Sequence, residues 1–237
     1  MGLGIALAQR GELEAAKTTA ALGLDVVADL GEYFFGMAYA QSAQASLAAG
    51  DIAAAHDAAE AAWDRLRVAQ PELAVAQRAF NSVEVVLARG DLTSARELAD
   101  AAVAMATGWH LAVALLVRAR VATAEGALEV GERDAHEALA CAVSGGLHLL
   151  IPGIFECLAN LATKGGNYPL AARLFGAADA LRRGMGLVRF RIYDAECEAS
   201  LAALRNAMDE KMFDATCAEG AALGIEEAIA YAQRGRG

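Results

Sequence analysis

The chain contains 237 residues, of which 57% are hydrophobic and 21% are charged, and its formal net charge is −10. Only 3 residues are proline and 23 are glycine, so the composition excludes a disordered tail, a collagen-like fibre and a disulfide-stabilised miniprotein. Alanine, the strongest helix former, supplies 60 residues, about a quarter of the chain. We therefore expect an all-α protein of closely packed helices.

The acidic excess and the hydropathy pattern narrow the classes of partner. Because nucleic acids and anionic lipids bind clustered Lys and Arg, a chain with 30 acidic and 20 basic residues is expected to bind neither nucleic acid nor membrane directly. The longest apolar run, Leu111 to Val117, ends at Arg118 and is far shorter than the roughly 20 residues that span a bilayer. A cytoplasmic location is expected.

A short turn motif recurs along the chain and predicts its architecture. It reads as an apolar helix end, a glycine and an acidic or amide residue, followed by an alanine in the next helix. Glycine enters the left-handed region without a Cβ clash, and Asp caps the following helix, so two adjacent residues end one helix and begin another. The clear copies are Gly11-Glu12, Gly50-Asp51 and Gly90-Asp91, and the weaker copies are Gly131-Glu132 and Gly166-Asn167.

These turns divide residues 1–184 into five predicted pairs of antiparallel helices that stack as an α-solenoid. The pairs are 1–10 with 12–22, 31–49 with 51–68, 71–89 with 91–107, 109–129 with 132–144, and 147–164 with 168–184. Pro71 suits the first turn of its helix, where no intrahelical donor is needed, and Pro152 is expected to delay the start of the fifth pair. After a loop at Gly184-Met185-Gly186, helices near 191–208, 209–220 and 225–233 are expected to cap the stack over 185–233.

Two parts of the sequence resemble known families. The turn motif, with Ala55 and Ala95 each five residues after its glycine, resembles tetratricopeptide repeats of more than the usual 34 residues. The last third resembles the end of the helical-repeat region in large bacterial LuxR-type regulators; it carries Ala171-Ala-Arg-Leu-Phe-Gly176, Tyr193, Phe213, Ala218-Glu-Gly-Ala-Ala-Leu223 and Glu226-Glu-Ala-Ile-Ala230. The resemblance implies that the ATPase or cyclase module and the helix-turn-helix domain of an intact regulator are partners, and that 234–237 end a linker.

No constellation typical of an enzyme is found, so no catalytic, cofactor-binding or metal-binding residues are predicted. The string closest to a phosphate-binding loop, Thr163-Lys-Gly-Gly166, has its lysine before the glycines. The four histidines lack a partner at i+4 and the four cysteines form no C-x-x-C pair, so a zinc site is not expected.

A groove is the remaining functional candidate. In tetratricopeptide-like stacks the first helix of each pair lines the concave face, and mixed polar and aromatic residues there would suit a peptide, a protein or a small effector. The resemblance carries this role to Gln77, Phe80, Glu84, Arg118, Glu125, Glu156 and Asn160. We interpret the chain as a non-enzymatic sensor and protein-interaction segment of a LuxR-type regulator that acts through changes in superhelical curvature.

Two other functions stay open at this point. A free-standing scaffold that holds two proteins together would carry the same repeats without sensing an effector, and an enzyme fragment is the weaker rival. The apolar start over residues 1–8 leads us to expect a further repeat before it, because the terminal repeats of a solenoid normally carry polar caps.

Overall fold

The structure is a computed structural model that describes residues 3–27 and 29–234. These residues are 86% helical, with thirteen α-helices, two short 3-10 turns and no strand. The all-α solenoid expected from the sequence is confirmed. Among the described helices, none combines the length and the apolar character needed to cross a membrane.

Ten of the helices form five consecutive antiparallel pairs. They are α1 (Leu3–Gln9) with α2 (Leu13–Val27), α3 (Glu32–Ala49) with α4 (Ile52–Ala69), α5 (Pro71–Ala88) with α6 (Leu92–Met105), α7 (Gly108–Glu125) with α8 (Leu128–Ser144), and α9 (Ile151–Lys164) with α10 (Tyr168–Gly184). Three helices follow, α11 (Asp194–Ala207), α12 (Glu210–Ala221) and α13 (Ile225–Arg234). Pro71 and Pro152 both lie in the first turn of a helix, and α9 begins after a 3-10 turn at His148–Leu150.

The turn inside each pair has the same backbone conformation at its glycine. A glycine with φ between 75° and 80° ends the first helix in all five pairs; these residues are Gly11, Gly50, Gly90, Gly126 and Gly166. Where Asp or Asn follows, its side chain caps the second helix by accepting a hydrogen bond from a backbone N–H. The donors are the amides of Ala54 to Asp51 at 3.1 Å, Ser94 to Asp91 at 3.0 Å and Leu170 to Asn167 at 3.4 Å.

The fourth turn corrects the sequence prediction. It lies at Gly126 and not at Gly131-Glu132, so the fourth pair spans 108–125 and 128–144. Gly126 is followed by Ala127, which has no side-chain acceptor, and the turn therefore lacks the side-chain cap that Asp51, Asp91 and Asn167 supply in other turns. Gly131 is buried inside α8, where an added Cβ would lie 2.8 Å from Leu161 Cδ2, so this glycine serves helix packing.

The C-terminal helices pack on the last repeat through a close backbone contact. A Cβ added to Gly176 in α10 would lie 2.0 Å from the carbonyl oxygen of Cys217 in α12. A Cβ added to Gly220 in α12 would lie 1.9 Å from the carbonyl oxygen of Arg173 in α10. Glycine is required at both positions because the two helix backbones touch where they cross.

The segment after α10 returns across the stack. We call residues 187–193 the strap; its last three residues, Arg191–Tyr193, form a 3-10 turn, and α11 therefore begins at Asp194 and not near 191. The backbone N–H of Val188 donates to the carbonyl oxygen of Gln9 at 2.7 Å, which joins the end of the fifth pair to the first. Phe190 packs on the alanines that α1, α2 and α3 bury, and Ile192 packs on Leu47 and Val85.

Candidate functional site

A cavity of about 140 Å³ lies between the strap and the first helices of the pairs. All five first helices contribute to its wall, so it lies on the inner face of the stack. Representative residues from α1, α3, α5, α7 and α9 are Ile5, Gln44, Phe80, Val113 and Gly153, and the strap contributes Val188, Arg189, Phe190 and Tyr193. The strap covers the face on which the sequence predicts an open groove, which makes it part of the candidate site.

One side of the cavity holds a buried triad of Glu84, Arg120 and Tyr193. Arg120 Nη1 donates to Glu84 Oε1 at 2.5 Å, and the Tyr193 hydroxyl donates to the same oxygen at 2.9 Å. The guanidinium carbon of Arg120 lies 3.9 Å from the centre of the Tyr193 ring, a cation–π contact. Burial raises the pKa of the Tyr193 phenol above its ordinary value, so the hydroxyl is a stable donor at neutral pH.

The other charged group is Glu156, which two arginines share. Arg182 approaches its carboxylate in a bidentate manner, with N···O distances of 2.6 and 2.7 Å. Arg189, from the strap, donates from Nε and Nη2 to Oε1 at 2.8 and 2.5 Å. Burial by itself would raise the pKa of Glu156, but the hydrogen bonds from both arginines hold it below its ordinary value. Glu156 is therefore ionised at neutral pH.

Three of the seven predicted groove residues line this cavity, namely Phe80, Glu84 and Glu156. Phe80 and Glu84 share one face of α5 because residues four apart are neighbours on a helix. Gln77 precedes them on that face but is buried and does not line the cavity; its Nε2 lies 3.1 Å from His110 Nε2. Trp109 packs edge-on against Phe80 and thus extends the aromatic surface beside the cavity.

The other three predicted residues lie elsewhere. Arg118 forms ion pairs with Asp134 at 2.7 Å and Asp100 at 3.2 Å, which places it between α6, α7 and α8. Glu125, the last residue of α7, forms an ion pair with Arg96. Asn160 is buried, and its Oδ1 has no hydrogen-bond partner among the described residues. The structure therefore does not bring these three side chains to the cavity.

The helical period explains why Arg118, which was predicted for the groove, does not line the cavity, whereas Arg120, which was not predicted, does. Arg118 and Arg120 are two residues apart, so their side chains are rotated by about 200° from each other around the helix axis. Arg120 continues the stripe formed by Val113, Leu116 and Val117, all of which line the cavity. An arginine inside an apolar stripe was the available signal for it. Arg182 reaches the site from the last turn of α10, and Arg189 and Tyr193 reach it only through the path of the strap.

Two of the four cysteines are buried in the core. Cys157 and Cys197 are both buried, and burial raises the pKa of their thiols to about 12 and about 11. Both thiols therefore stay protonated at neutral pH. Across the part of the chain that the structure describes, no group of three or more His, Cys, Asp or Glu side chains is arranged to hold a metal ion.

Comparisons with known proteins link the chain to transcriptional regulators. No protein-family model matches it, and no solved structure matches it. It is 46% identical over 223 residues, 94% of its length, to proteins of Mycobacterium bovis (strain AF2122/97) and Mycobacterium tuberculosis (strains CDC 1551 and H37Rv). Each is named a "putative HTH-type transcriptional regulator", and the match covers 25% of its length. The chain thus resembles a quarter-length segment of proteins named as helix-turn-helix regulators.

Proposed function

We propose that this chain is a non-enzymatic sensor and protein-interaction segment of a LuxR-type transcriptional regulator. As a tetratricopeptide-like stack in the cytoplasm, it binds an effector or a partner on its inner face. It then passes the binding event to the ATPase or cyclase and helix-turn-helix domains of the intact regulator. The similarity to mycobacterial proteins named as regulators supports the regulatory role over that of a free-standing scaffold.

The observation that carries the proposal is the cavity beneath the strap. Residues from all five first helices and from the strap meet there, so an occupant touches both ends of the stack at once. Ligand sites are typically concave and mostly apolar, with a few polar groups that fix orientation, and this cavity has that character. Its charged groups are Glu84, Glu156, Arg120, Arg182 and Arg189.

The strap gives a physical route from binding to output. Each repeat of a solenoid contacts mainly its neighbours, so small rotations between repeats add up along the stack. The strap opposes such rotations because Val188 bonds Gln9 in the first pair while Arg189 bonds Glu156 in the fifth. An occupant that tightens or loosens the strap changes the curvature that the neighbouring domains experience.

A chimera tests the proposal. The segment of the M. tuberculosis relative that matches this chain is replaced by the chain itself, and the transcripts that depend on the relative are measured by RNA sequencing. We expect the chimera to retain regulation and the Glu156→Gln chimera to change it, because a neutral amide can no longer form ion pairs with Arg182 and Arg189. The matched control is Glu125→Gln, which also lies on the first helix of a pair but outside the cavity.

The two variants separate function from folding. Protein levels and circular dichroism spectra must be equal for both chimeras before transcripts are compared. If Glu156→Gln and Glu125→Gln leave the same transcripts unchanged, the inner face has no regulatory role and the proposal is wrong.

A further inference from the structure

We propose that the cavity binds a small organic carboxylate whose apolar body is about the size of a benzene ring. This inference rests on the function proposed above and deepens it by giving the chemical class of the effector. Arg120, on α7, takes the carboxylate, and Arg189, on the strap, provides the second group of donors.

The arginines of the cavity have more hydrogen-bond donors than the two glutamates use. The carboxylate of Glu156 accepts four hydrogen bonds from Arg182 and Arg189, and that of Glu84 accepts one from Arg120 and one from Tyr193. A guanidinium has five N–H donors. Arg120 uses Nη1 for Glu84 and lies over the Tyr193 ring, and its Nη2 group is left to donate to an acceptor-rich ligand.

Arg120 and Arg189 both line the cavity, and each has a nitrogen that is not hydrogen-bonded to Glu84 or Glu156. Arg120 is only 11% exposed, and its Nη2 faces Gly153, where an added Cβ would lie 3.5 Å away. Arg189 uses Nε and Nη2 for Glu156, and its Nη1 lies 3.8 Å from Asp194 Oδ1, beyond hydrogen-bond distance. A bound carboxylate would give these nitrogens a charged acceptor, and charge-assisted hydrogen bonds of this kind are stronger than neutral ones.

The charge of the cavity favours an anion over a cation. Three arginines and two glutamates line it, an excess of one positive charge in a chain whose net charge is −10. The positive potential of this site attracts anions, whereas the acidic surface around it repels them. A cationic ligand would face three arginines, and each of the two carboxylates already pairs with at least one of them.

The walls and the volume set the size of the apolar body. A cavity of about 150 Å³ lined by apolar side chains is known to hold benzene, and the cavity here has about 140 Å³. Its apolar wall includes Phe80, Val113, Leu116, Leu150 and Phe190. Leu149 and Val188 are 55% and 43% exposed at its edge, so a slightly larger body can extend between them.

Titration calorimetry with four probes tests the ligand class on the chain as it is. The probes are benzoate, its neutral isostere benzamide, the cation benzylamine, and acetate, which has the carboxylate without the ring. We expect benzoate to bind, benzamide to bind about tenfold more weakly because it loses the charge-assisted hydrogen bonds, and benzylamine not to bind. Acetate should also be about tenfold weaker or worse, because it buries no ring.

Two variants locate the binding. Gly153→Leu fills the cavity next to Arg120; its Cβ meets only Arg120 Nη2 and Leu116 Cδ2 at ordinary contact distances, so folding should be preserved. Its matched control is Gly23→Leu in α2, where an added Cβ meets no atom within 4 Å. Arg120→Gln removes the donors without filling the space. We expect Gly153→Leu and Arg120→Gln to weaken benzoate binding about tenfold or more and Gly23→Leu to leave it unchanged.

Each outcome decides. Equal affinity for benzoate, benzamide and benzylamine, or benzoate binding that Gly153→Leu does not weaken, overturns the proposal, and so does the absence of benzoate binding. Should Arg120→Gln fail to fold, Gly153→Leu decides alone. If benzoate does not bind but the Glu156→Gln chimera alters transcripts, the ligand class is wrong and the regulatory function stands. If benzoate binds and the chimeras are indistinguishable, the regulatory function is wrong.

Discussion

The hydroxyl of Tyr193 donates a hydrogen bond to the carboxylate of Glu84, 109 residues earlier in the chain, at 2.9 Å. This contact fastens the end of the strap to the third helix pair. Arg120 completes it, since its guanidinium pairs with Glu84 and lies over the Tyr193 ring.

Removing this hydroxyl should weaken the attachment of the strap to α5, while the aromatic ring at position 193 stays in place. Tyr193→Phe keeps the ring under Arg120 and deletes the hydrogen bond to a charged acceptor, so the free energy of unfolding should fall by about 1.5–3 kcal/mol. Urea denaturation followed by circular dichroism measures the change. Tyr168→Phe is the control, because the Tyr168 hydroxyl makes no hydrogen bond to a described residue. Equal unfolding midpoints for the two variants would contradict the role assigned to Tyr193.

The backbone crossing of α10 and α12 should tolerate no side chain. Gly176→Ala and Gly220→Ala each place a Cβ about 2 Å from a carbonyl oxygen, so the helices must separate. Overpacking of this kind typically costs about 1–3 kcal/mol or more in unfolding free energy. Thermal unfolding measures it. The same substitution at Gly23, where a Cβ meets nothing, should stabilise the chain by about 0.5–1 kcal/mol. Loss of stability at Gly23 with none at Gly176 would refute the crossing.

The fourth turn offers a gain of stability. Ala127 has φ −83° and ψ 66°, close to the −84° and 82° of the N-cap Asp91, but it lacks a side-chain acceptor. Ala127→Asp should therefore add a cap to α8 and stabilise the chain by about 1 kcal/mol. Asp91→Ala should have the opposite sign, because it removes an existing cap. Differential scanning calorimetry compares the two variants, and a lower midpoint for Ala127→Asp would show that the turn cannot use the cap.

Acidification should lower the unfolding free energy of the chain by protonating Glu156. The pKa of this carboxyl is lower in the folded chain than its ordinary value, so its stabilising contribution is fully present above about pH 4.3. The contribution is lost as the pH falls through the depressed folded value. We expect the unfolding free energy of the native chain to drop more steeply below about pH 4.3 than that of Glu156→Gln, which cannot titrate there.

Urea titrations at several pH values measure this dependence. Glu156→Gln should itself cost about 3–5 kcal/mol at neutral pH, because two partly buried arginines lose the buried carboxylate that they share. The exposed Glu129→Gln serves as the control for removal of a surface carboxyl. If Glu156→Gln and the native chain lose stability in parallel below about pH 4.3, then Glu156 is not the titrating group.

The sequence by itself determined the helices and most of their ends. A glycine that adopts positive φ and an Asp that caps the next helix act within a few residues, so Gly50-Asp51 and Gly90-Asp91 are readable without tertiary structure. The prediction was wrong where the local signal was absent. The turn at Gly126-Ala127 lacks a capping side chain. Residue 131 is a glycine because a Cβ there would collide with Leu161.

Only the tertiary structure decided the composition of the candidate site. Phe80 and Glu84 were predictable because the helical period places them on one inner face. The turn motif does not fix the rotation of α7 about its axis, so it could not show that Arg120 lines the cavity while Arg118 pairs with Asp134. Arg189 and Tyr193 reach the cavity because the strap turns back to pair with Gln9, Glu84 and Glu156. Such contacts join residues that are tens of positions apart, and their direction depends on the packing of the whole stack.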